Sequence, residues 1–341
     1  MRYVVNLSSR LSDEERRDLN VLGEILYESK FLPLLGIETN FPQQISELDF
    51  IENIREEITG EYQEAEYLAV LTFEPPLKKS KLINKQYVGW NSRIAILDSG
   101  RAPEIDAEFI DYTNTNPTDS INHGANVMRI IKHFAKGSTL YSAKIGSPKP
   151  EEIALMNALE WAADKAVDVI NISASFKRRC NPTKCDLCKL INEIVINTRS
   201  TIVIAAGNEN NKEDSIYCPG VASNAVTVGA VDKDKKVADY SSFGRVGGQK
   251  PNLIAPGTTY IDGSKLSGTS FAAPVITGII GAMTTRVGSS AKVVDYMYNT
   301  IEDLGAPINQ QGLGMLNLEQ LVEVVSNEES YSQSTGQNQS S

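Results

Sequence analysis

An almost wholly apolar helix that follows a Gly-Thr-Ser loop limits most strongly how this chain can fold. The loop begins at Leu266, and the apolar positions continue past Pro274 to Met283. A helix that is apolar on nearly every side is buried inside a domain. Proline lacks an N–H group and is tolerated in the first turn of a helix, so Pro274 predicts that the helix begins close to Ser270.

Ser270 is therefore predicted to lie at a helix N-terminus. The free N–H groups and the positive end of the helix dipole favour negative charge there, and an acyl-transfer enzyme needs its nucleophile in such a place. A serine that only caps a core helix gives the same pattern. Taken alone, the stretch favours the capping role.

Two further stretches favour catalysis. Arg93–Asp98 is a short apolar run that ends in a carboxylate, as a buried parallel strand does when it delivers an acidic group to the edge of a sheet. His123 then opens a helical pattern. Along the chain the order is Asp98, His123, Ser270, which is one of the three orders that known catalytic triads adopt.

Four segments in this order resemble the active-site segments of the subtilisin-like serine proteases, the subtilase family. They are Leu97-Asp98-Ser99-Gly100, His123-Gly124, Ala205-Ala206-Gly207-Asn208 and Gly268-Thr269-Ser270-Phe271-Ala272-Ala273-Pro274. The resemblance covers most of the chain, from Trp90 to Val322. It implies a subtilisin-like α/β fold with a mostly parallel central sheet flanked by helices, joined here to a small N-terminal α+β domain.

The resemblance also implies an activity, that of a serine endopeptidase working through an acyl-enzyme. Ser270 would be the nucleophile, His123 the base that takes its proton and Asp98 the group that orients the imidazole. Asn208 would donate its side-chain amide to the oxyanion, with the N–H of Ser270 as the second donor. No cofactor is needed for this chemistry.

Residues for substrate binding follow from the same resemblance. The segment Ser173-Ala174-Ser175 would form the edge that pairs with the substrate backbone. Glu209 would lie at the rim of the pocket for the residue before the scissile bond, and Tyr217 at its base. The family commonly has glycine where Ser175 and Phe176 stand, which affects the shape of this pocket and not the reaction.

The chain is divided by pattern into residues 1–75, an inhibitor-like domain; 76–90, a linker; 91–326, the catalytic domain; and 327–341, a disordered polar tail. Ser12 and Glu15 form a capping box for the first helix, and Pro42–Ile58 is predicted as the second. The alternation of strands and helices resembles the propeptide of the family, which implies an intramolecular inhibitor that is cut between about Leu71 and Leu82. An unrelated appended domain is the alternative.

Charge and composition limit the partners. The net charge of −10 argues against nucleic acid and against an anionic membrane. We expect a monomer that acts on a peptide or protein substrate. No signal peptide is visible, which favours the cytoplasm over a secreted protein whose signal has been removed. Asp106, Asp111 and Asp119 are interpreted as solvated turn residues, since their spacing is not that of a calcium loop.

The four cysteines suggest a metal site. Cys180, Cys185 and Cys188 crowd one insertion, and the two-residue gap between the last two is typical of metal knuckles. Cys218 is distant in sequence, but the resemblance places it near the specificity pocket. A structural zinc ion, two disulfides and four unrelated thiols are the alternatives, and a cytoplasmic protein disfavours the disulfides.

Four functions are compatible with these residues. The first is a general serine endopeptidase, made as an autoinhibited zymogen. The second is a dedicated protease that removes a leader from a ribosomal peptide. The third is a catalytically silent peptide-binding module, which the presence of all four catalytic positions disfavours. The fourth is an enzyme that joins peptides by acyl transfer.

Overall fold

Two sheets, one before residue 57 and one after residue 92, organise the chain. The computed structural model describes residues 1–62, 87–113, 119–210, 212–261 and 264–337. The predicted cut between Leu71 and Leu82, and most of the predicted linker, lie outside these residues.

The first sheet is antiparallel and has four strands in the order β2-β3-β1-β4. The elements up to the end of this region are β1 (Arg2–Leu7), α1 (Asp13–Leu22), β2 (Gly23–Glu28), β3 (Leu34–Thr39), α2 (Pro42–Ser46), β4 (Ile51–Glu56) and β5 (Glu61–Tyr62). Side chains of β1 alternate between two cores: Val5 packs with Leu19 and Ile45 of the helices, whereas Val4 packs on the larger domain. Both faces of this small sheet are therefore buried.

The central sheet has nine strands in the order β16-β17-β13-β12-β11-β9-β6-β8-β7. The remaining strands are β6 (Arg93–Asp98), β7 (Glu108–Asp111), β8 (Thr139–Lys144), β9 (Val169–Ile172), β10 (Ala174–Ser175), β11 (Thr201–Ala205), β12 (Val226–Val231), β13 (Leu253–Pro256), β14 (Thr258–Ile261), β15 (Ser264–Ser267), β16 (Ile301–Glu302) and β17 (Met315–Leu316). All neighbouring pairs in the nine-stranded sheet are parallel except β16 with β17. The predicted fold class is confirmed.

Helices cover both faces of this sheet. They are α3 (His123–Phe134), α4 (Glu152–Asp164), α5 (Asp186–Asn197), α6 (Thr269–Val287), α7 (Ser290–Tyr298), α8 (Ile308–Gln311) and α9 (Leu318–Gln337). In β6, Ile94 and Ile96 pack with α3 and α6, while Ala95 and Leu97 face α4 and α5. A strand that is buried on both faces is apolar at successive positions, as the sequence pattern indicated.

Helix α6 is the buried core helix that the sequence predicted. It begins at Thr269, one residue before Ser270. Among the described residues it alone is long and apolar enough to cross a membrane, but most of it is buried inside the domain, as in the core helix of a soluble protein. Pro274 lies beyond the first turn, and not within it as predicted.

Two further expectations for local structure need correction. The predicted helix Pro42–Ile58 ends at Ser46, and Ile51–Glu56 is a strand that pairs with β1. Ile45, Leu48, Ile51 and Ile54 are three residues apart, which fits a helix, but pairing with β1 outweighs this local pattern. The predicted tail also differs, because α9 continues to Gln337. Buried Leu321 and Val325 nucleate this helix, and adding turns to an existing helix is easy.

Candidate active site

Asp98 and His123 meet at the carboxyl edge of the central sheet. Asp98 is the last residue of β6, and His123 is the first residue of α3. The Oδ1 atom of Asp98 lies 2.7 Å from Nδ1 of His123, and both side chains are fully buried. The N–H of Ser99 donates to the same oxygen at 2.7 Å. This arrangement holds the imidazole in one orientation and leaves Nε2 as the atom that can exchange a proton.

Ser99 and Asp119 hold the start of α3, a role that no sequence motif indicated. Asn122 precedes the helix in the left-handed region, with φ 56°, and its side chain makes no cap. The Ser99 hydroxyl instead accepts from the N–H of Gly124 at 2.9 Å and donates to Asp119 at 2.8 Å. Asp119 also accepts from the N–H of Ala125 at 3.3 Å. Asp119 thus caps α3, and in the sequence only its place four residues before the helix indicated this role.

Ser270 lies in the first turn of α6 and is fully buried. Its hydroxyl donates to the carbonyl oxygen of Ser173 at 3.1 Å, and the Ser173 hydroxyl donates to the carbonyl oxygen of Ser270 at 3.1 Å. A residue at position 274 would normally bond that Ser270 carbonyl, but proline has no N–H group. Pro274 therefore leaves the Ser270 carbonyl oxygen available for the Ser173 hydroxyl, and this bond joins α6 to the predicted substrate strand.

Asn208 follows β11 and faces the start of α6. Its Oδ1 accepts from the N–H of Thr269 at 3.0 Å and from the Thr269 hydroxyl at 3.1 Å. The same hydroxyl accepts from the N–H of Gly207 at 3.0 Å. Because both partners of the Asn208 oxygen are donors, the amide nitrogen must point the other way. That nitrogen is a hydrogen-bond donor held on a rigid turn.

A short strand of the chain itself, β5, pairs with the predicted substrate strand β10. Ala174 pairs with Tyr62, and Ser175 with Glu61, in antiparallel register. The ring of Tyr62 lies 4.8 Å from that of His123, and its hydroxyl donates to the carbonyl of Gly146 at 2.6 Å. Burial, with the charge of Asp98 as the next cause, raises the pKa of Tyr62 well above its usual value, so the phenol stays neutral.

The two predicted pocket residues lie beside this strand. Lys177 lies 3.0 Å from Glu61 and 3.5 Å from Glu209, so it joins the rim of the cleft to the segment that crosses it. Tyr217 precedes Cys218, whose carbonyl accepts from the N–H of Phe176 at 2.7 Å. The structure thus brings Glu209 and the Tyr217 loop to the continuation of the substrate strand.

All four cysteines also come together, as the sequence suggested. Their sulfur atoms lie within 4.8 Å of one another, and among the described residues no other cluster has the geometry of a metal site. Asp106, Asp111 and Asp119 do not form one.

The known proteins to which this chain is similar in sequence are proteases. The subtilase family profile matches residues 112–315, more than half of the chain. The chain belongs to the subtilase family of subtilisin-like serine proteases. It is 27% identical to halolysin from Haloferax mediterranei, over 86% of this chain and 64% of that one. It is 26% identical to subtilisin from Bacillus pumilus, over 71% of this chain and 95% of that one.

A solved structure shows the same fold from end to end. The epidermin leader-peptide-processing serine protease of Staphylococcus aureus, as an S393A mutant, matches with a TM-score of 0.71 and 17% identity. The match covers 95% of this chain and 99% of that one. The family and the subtilisin-like fold predicted from the four segments are confirmed.

A chain of buried polar side chains links the core helix α6 to the predicted substrate strand. The Thr277 hydroxyl donates to Asn171 at 2.9 Å, and Asn171 donates to the Ser173 hydroxyl at 3.0 Å. All three side chains are fully buried. Since Ser173 bonds Ser270, this chain holds the two walls of the cleft in register.

We predict that Thr277→Val lowers the free energy of unfolding by about 1–3 kcal/mol, because it leaves the buried oxygen of Asn171 without its donor. Thr284→Val is the matched control: Thr284 is also buried on α6, but its hydroxyl donates only to the carbonyl of Ile280 in its own helix. Denaturant titration of both variants measures the difference. Equal losses in the two variants would contradict the role of the polar chain.

Proposed function

We propose that this subtilase is an endopeptidase that cleaves peptide bonds through Asp98, His123 and Ser270. The observation that carries the proposal is the 2.7 Å contact between Asp98 and His123 at the sheet edge where α6 delivers Ser270. A serine hydroxyl is a weak nucleophile at neutral pH, so a base must take its proton.

In the first half of the reaction, Ser270 Oγ attacks the peptide carbonyl carbon while Nε2 of His123 takes the hydroxyl proton. Asp98 accepts from the Nδ1 proton and stabilises the imidazolium that forms. The imidazolium then gives its proton to the leaving amine, and an acyl-enzyme remains. In the second half, water attacks the ester, His123 takes the water proton and returns it to Ser270.

The oxyanion of each step needs donors that are already in place. We assign this role to the Asn208 amide nitrogen, whose orientation is set by the two bonds from Thr269 to its oxygen. The N–H of Ser270 is the second donor, since N–H groups in the first turn of a helix have no partner within it. Ser173, Ala174 and Ser175 would bind the backbone of the substrate by strand addition, as Ala174 and Ser175 bind residues 61–62 here.

We further propose that the N-terminal domain inhibits the protease intramolecularly. It docks on α4 and α5 through buried ion pairs. Arg55 binds Glu152, which is fully buried, with two bonds of 2.8 and 3.0 Å. Asn6 donates to Asp186 at 2.8 Å. Glu57 accepts from the N–H of Ile153 at 2.8 Å, at the positive N-terminal end of α4.

A second group of contacts holds the other end of α4. Glu160, which is buried, accepts from the hydroxyls of Tyr27 and Ser29 at 2.6 Å each. The backbone N–H of Lys30 donates to the same carboxylate at 2.9 Å. Because the domain grips both ends of α4, the segment that follows it is directed across the cleft, where Tyr62 covers His123.

The same geometry favours a cut soon after Tyr62. The attacked carbonyl must lie next to the general base, and Tyr62 already contacts His123. The expected cut between Leu71 and Leu82 would need about ten more residues between this contact and the scissile bond, or more than 30 Å of extended chain. We therefore place the first self-cleavage immediately on the carboxyl side of Tyr62.

We predict that purified wild-type protein releases an N-terminal fragment ending just after Tyr62, whereas Ser270→Ala stays full length. Ser267→Ala, which removes a buried hydroxyl three residues away, is the matched control and keeps the processing. Intact mass measured over time gives the fragment boundary. Equal cutting of wild type and Ser270→Ala would assign the cut to another protease, and a fully active chain that stays intact would contradict the zymogen.

Docking of the N-terminal domain should depend on pH through Glu57. Burial raises the pKa of Glu57 from its usual 4.5 to about 7, although the N–H of Ile153 and the charge of Arg2 oppose this. A carboxyl whose pKa is raised in the docked state favours docking fully below pH 4.5 and loses that contribution as the pH rises to about 7. The domain should therefore be held less tightly at neutral pH.

We predict that, in a Ser270→Ala chain, thermal stability falls between pH 4.5 and 7 relative to the same chain with Glu57→Gln. The glutamine mimics the protonated acid and should remove the difference. Glu56→Gln, which changes the exposed neighbour, should behave like its parent. Thermal midpoints across this pH range test the claim, and parallel curves for the two Glu57 forms would overturn it.

A dedicated leader-peptide protease is the second candidate. The observation in its favour is the end-to-end fold match with the epidermin leader-peptide-processing protease. A peptide-library cleavage profile separates the two functions: a narrow preference over several positions supports a dedicated protease, and broad cleavage supports a general one. We propose action in the cytoplasm, which is supported by the four cysteines without a disulfide.

A further inference from the structure

The four cysteines converge from three separate parts of the chain behind the substrate strand. Cys180 lies in the insertion after β10, Cys185 is the residue before α5, and Cys188 is in the first turn of that helix. Cys218 comes from the loop after β11. Cys185, Cys188 and Cys218 are buried, and Cys180 is partly exposed. Nothing in the catalytic chemistry uses them.

The spacing of the sulfur atoms is that of a tetrahedral metal site. Four thiolates about 2.3 Å from a zinc ion lie about 3.8 Å from one another. Three of the six sulfur–sulfur distances are 3.7 Å for Cys180–Cys188, 3.9 Å for Cys188–Cys218 and 3.3 Å for Cys185–Cys218, and all six lie within 4.8 Å. Sulfur atoms in a disulfide are about 2.05 Å apart, so each of these distances fits a shared ion better than a bond.

A partly buried cation is aimed at the same sulfur atoms. Nη2 of Arg178 lies 3.4 Å from Sγ of Cys185 and 3.6 Å from Sγ of Cys218. Four thiolates and one divalent ion carry a net charge of −2, and burying such a charge is costly unless a positive group offsets it. Neutral thiols would need no such partner.

We propose that Cys180, Cys185, Cys188 and Cys218 bind one zinc ion as a closed structural site. Four thiolates are soft ligands and favour zinc over calcium or magnesium. They fill the tetrahedron, so no position is left for water or substrate. The ion takes no part in peptide hydrolysis, and this proposal does not depend on the proposed function.

The zinc site would fix the wall of the specificity pocket. The carbonyl of Cys218 accepts from the N–H of Phe176 at 2.7 Å, and the N–H of Cys218 donates to the carbonyl of Arg178 at 3.2 Å. These bonds continue the substrate strand directly beyond Ser175. A metal ion on Cys218 therefore holds the strand that contacts substrate to α5, through Cys185 and Cys188.

The same site reaches the docking surface for the N-terminal domain. Arg178, besides facing the sulfur atoms, donates to Glu152 at 2.8 Å. Glu152 is the buried carboxylate that also binds Arg55. Charged groups therefore connect the two sites. Arg178 contacts the cysteine sulfur atoms and Glu152, and Glu152 in turn binds Arg55. Loss of the metal should loosen both the substrate strand and the grip on the N-terminal domain.

The test uses the full-length Ser270→Ala chain, purified without added metal. We expect about one zinc per chain by elemental analysis and four free thiols after denaturation. Removing the metal with a chelator should lower the thermal midpoint by several degrees, and added zinc, but not magnesium, should restore it. Hydrogen exchange at the N–H groups of Phe176 and Cys218 should become faster in the metal-free protein.

Variants separate ligand loss from simple destabilisation. Cys185→Ser should reduce the zinc content to near zero. Ile191→Ala, which removes buried side-chain volume from the same helix α5, should lower stability but keep the zinc. If Cys185→Ser fails to fold, cobalt substitution in the parent chain still decides, because four thiolates give strong sulfur-to-cobalt absorption bands.

Three results would overturn the proposal. One is a metal-free protein with four free thiols and unchanged stability in the presence of a chelator. Another is a mass four hydrogens below the reduced value, which would show two disulfides. The third is iron in place of zinc, which would make the site a redox centre.

Discussion

The hydrogen bond between Asp98 and His123 depends on two chain segments that meet at one edge of the central sheet. Strand β6 delivers the carboxylate, and α3 begins with the imidazole, 2.7 Å away. Neither segment fixes this distance alone: the Ser99 hydroxyl and the Asp119 carboxylate bond the first turn of α3 to the end of β6. Parallel strands whose carboxyl ends meet at one edge make such a meeting possible. The contact between Asp98 and His123 therefore depends on the sheet and on the residues that cap α3.

Buried carboxylates and apolar contacts together hold the N-terminal domain on the larger one. Glu152 and Glu160 on α4, both buried, accept from residues of the small domain, and Val4, Tyr27 and Leu34 add apolar contact. Burying a carboxylate is tolerable only while its donors are present. If the domain leaves as proposed, Glu152 loses Arg55 but keeps its bond from Arg178. This arrangement suits the proposed inhibitor, which must bind firmly at first and leave later. Glu57 acts in the same direction, because its raised pKa weakens docking as the pH rises to about 7.

Sequence predicted the parts of this structure that rest on buried, regular elements. The helix after Ser270, the strand ending at Asp98 and the family follow from apolar runs and four short motifs. Residues whose roles depend on tertiary contacts were missed: Asp119 looked like a solvated turn residue, because only the fold brings it to the start of α3. The predicted helix Pro42–Ile58 was wrong for the same reason, because the second half of that segment is a strand paired with β1. The place of Tyr62 in the cleft follows from docking of a whole domain, which no local pattern encodes.

The central claim is that Ser270, activated by His123 and Asp98, is the nucleophile of this subtilase. Labelling of the processed protein with a serine-directed phosphonate, followed by peptide mass analysis, tests it most directly. The account predicts one label per chain, on Ser270, and greatly slowed labelling in His123→Ala and Asp98→Asn at unchanged thermal stability. A label on another serine, or labelling of the His123→Ala protein at the wild-type rate, would contradict it.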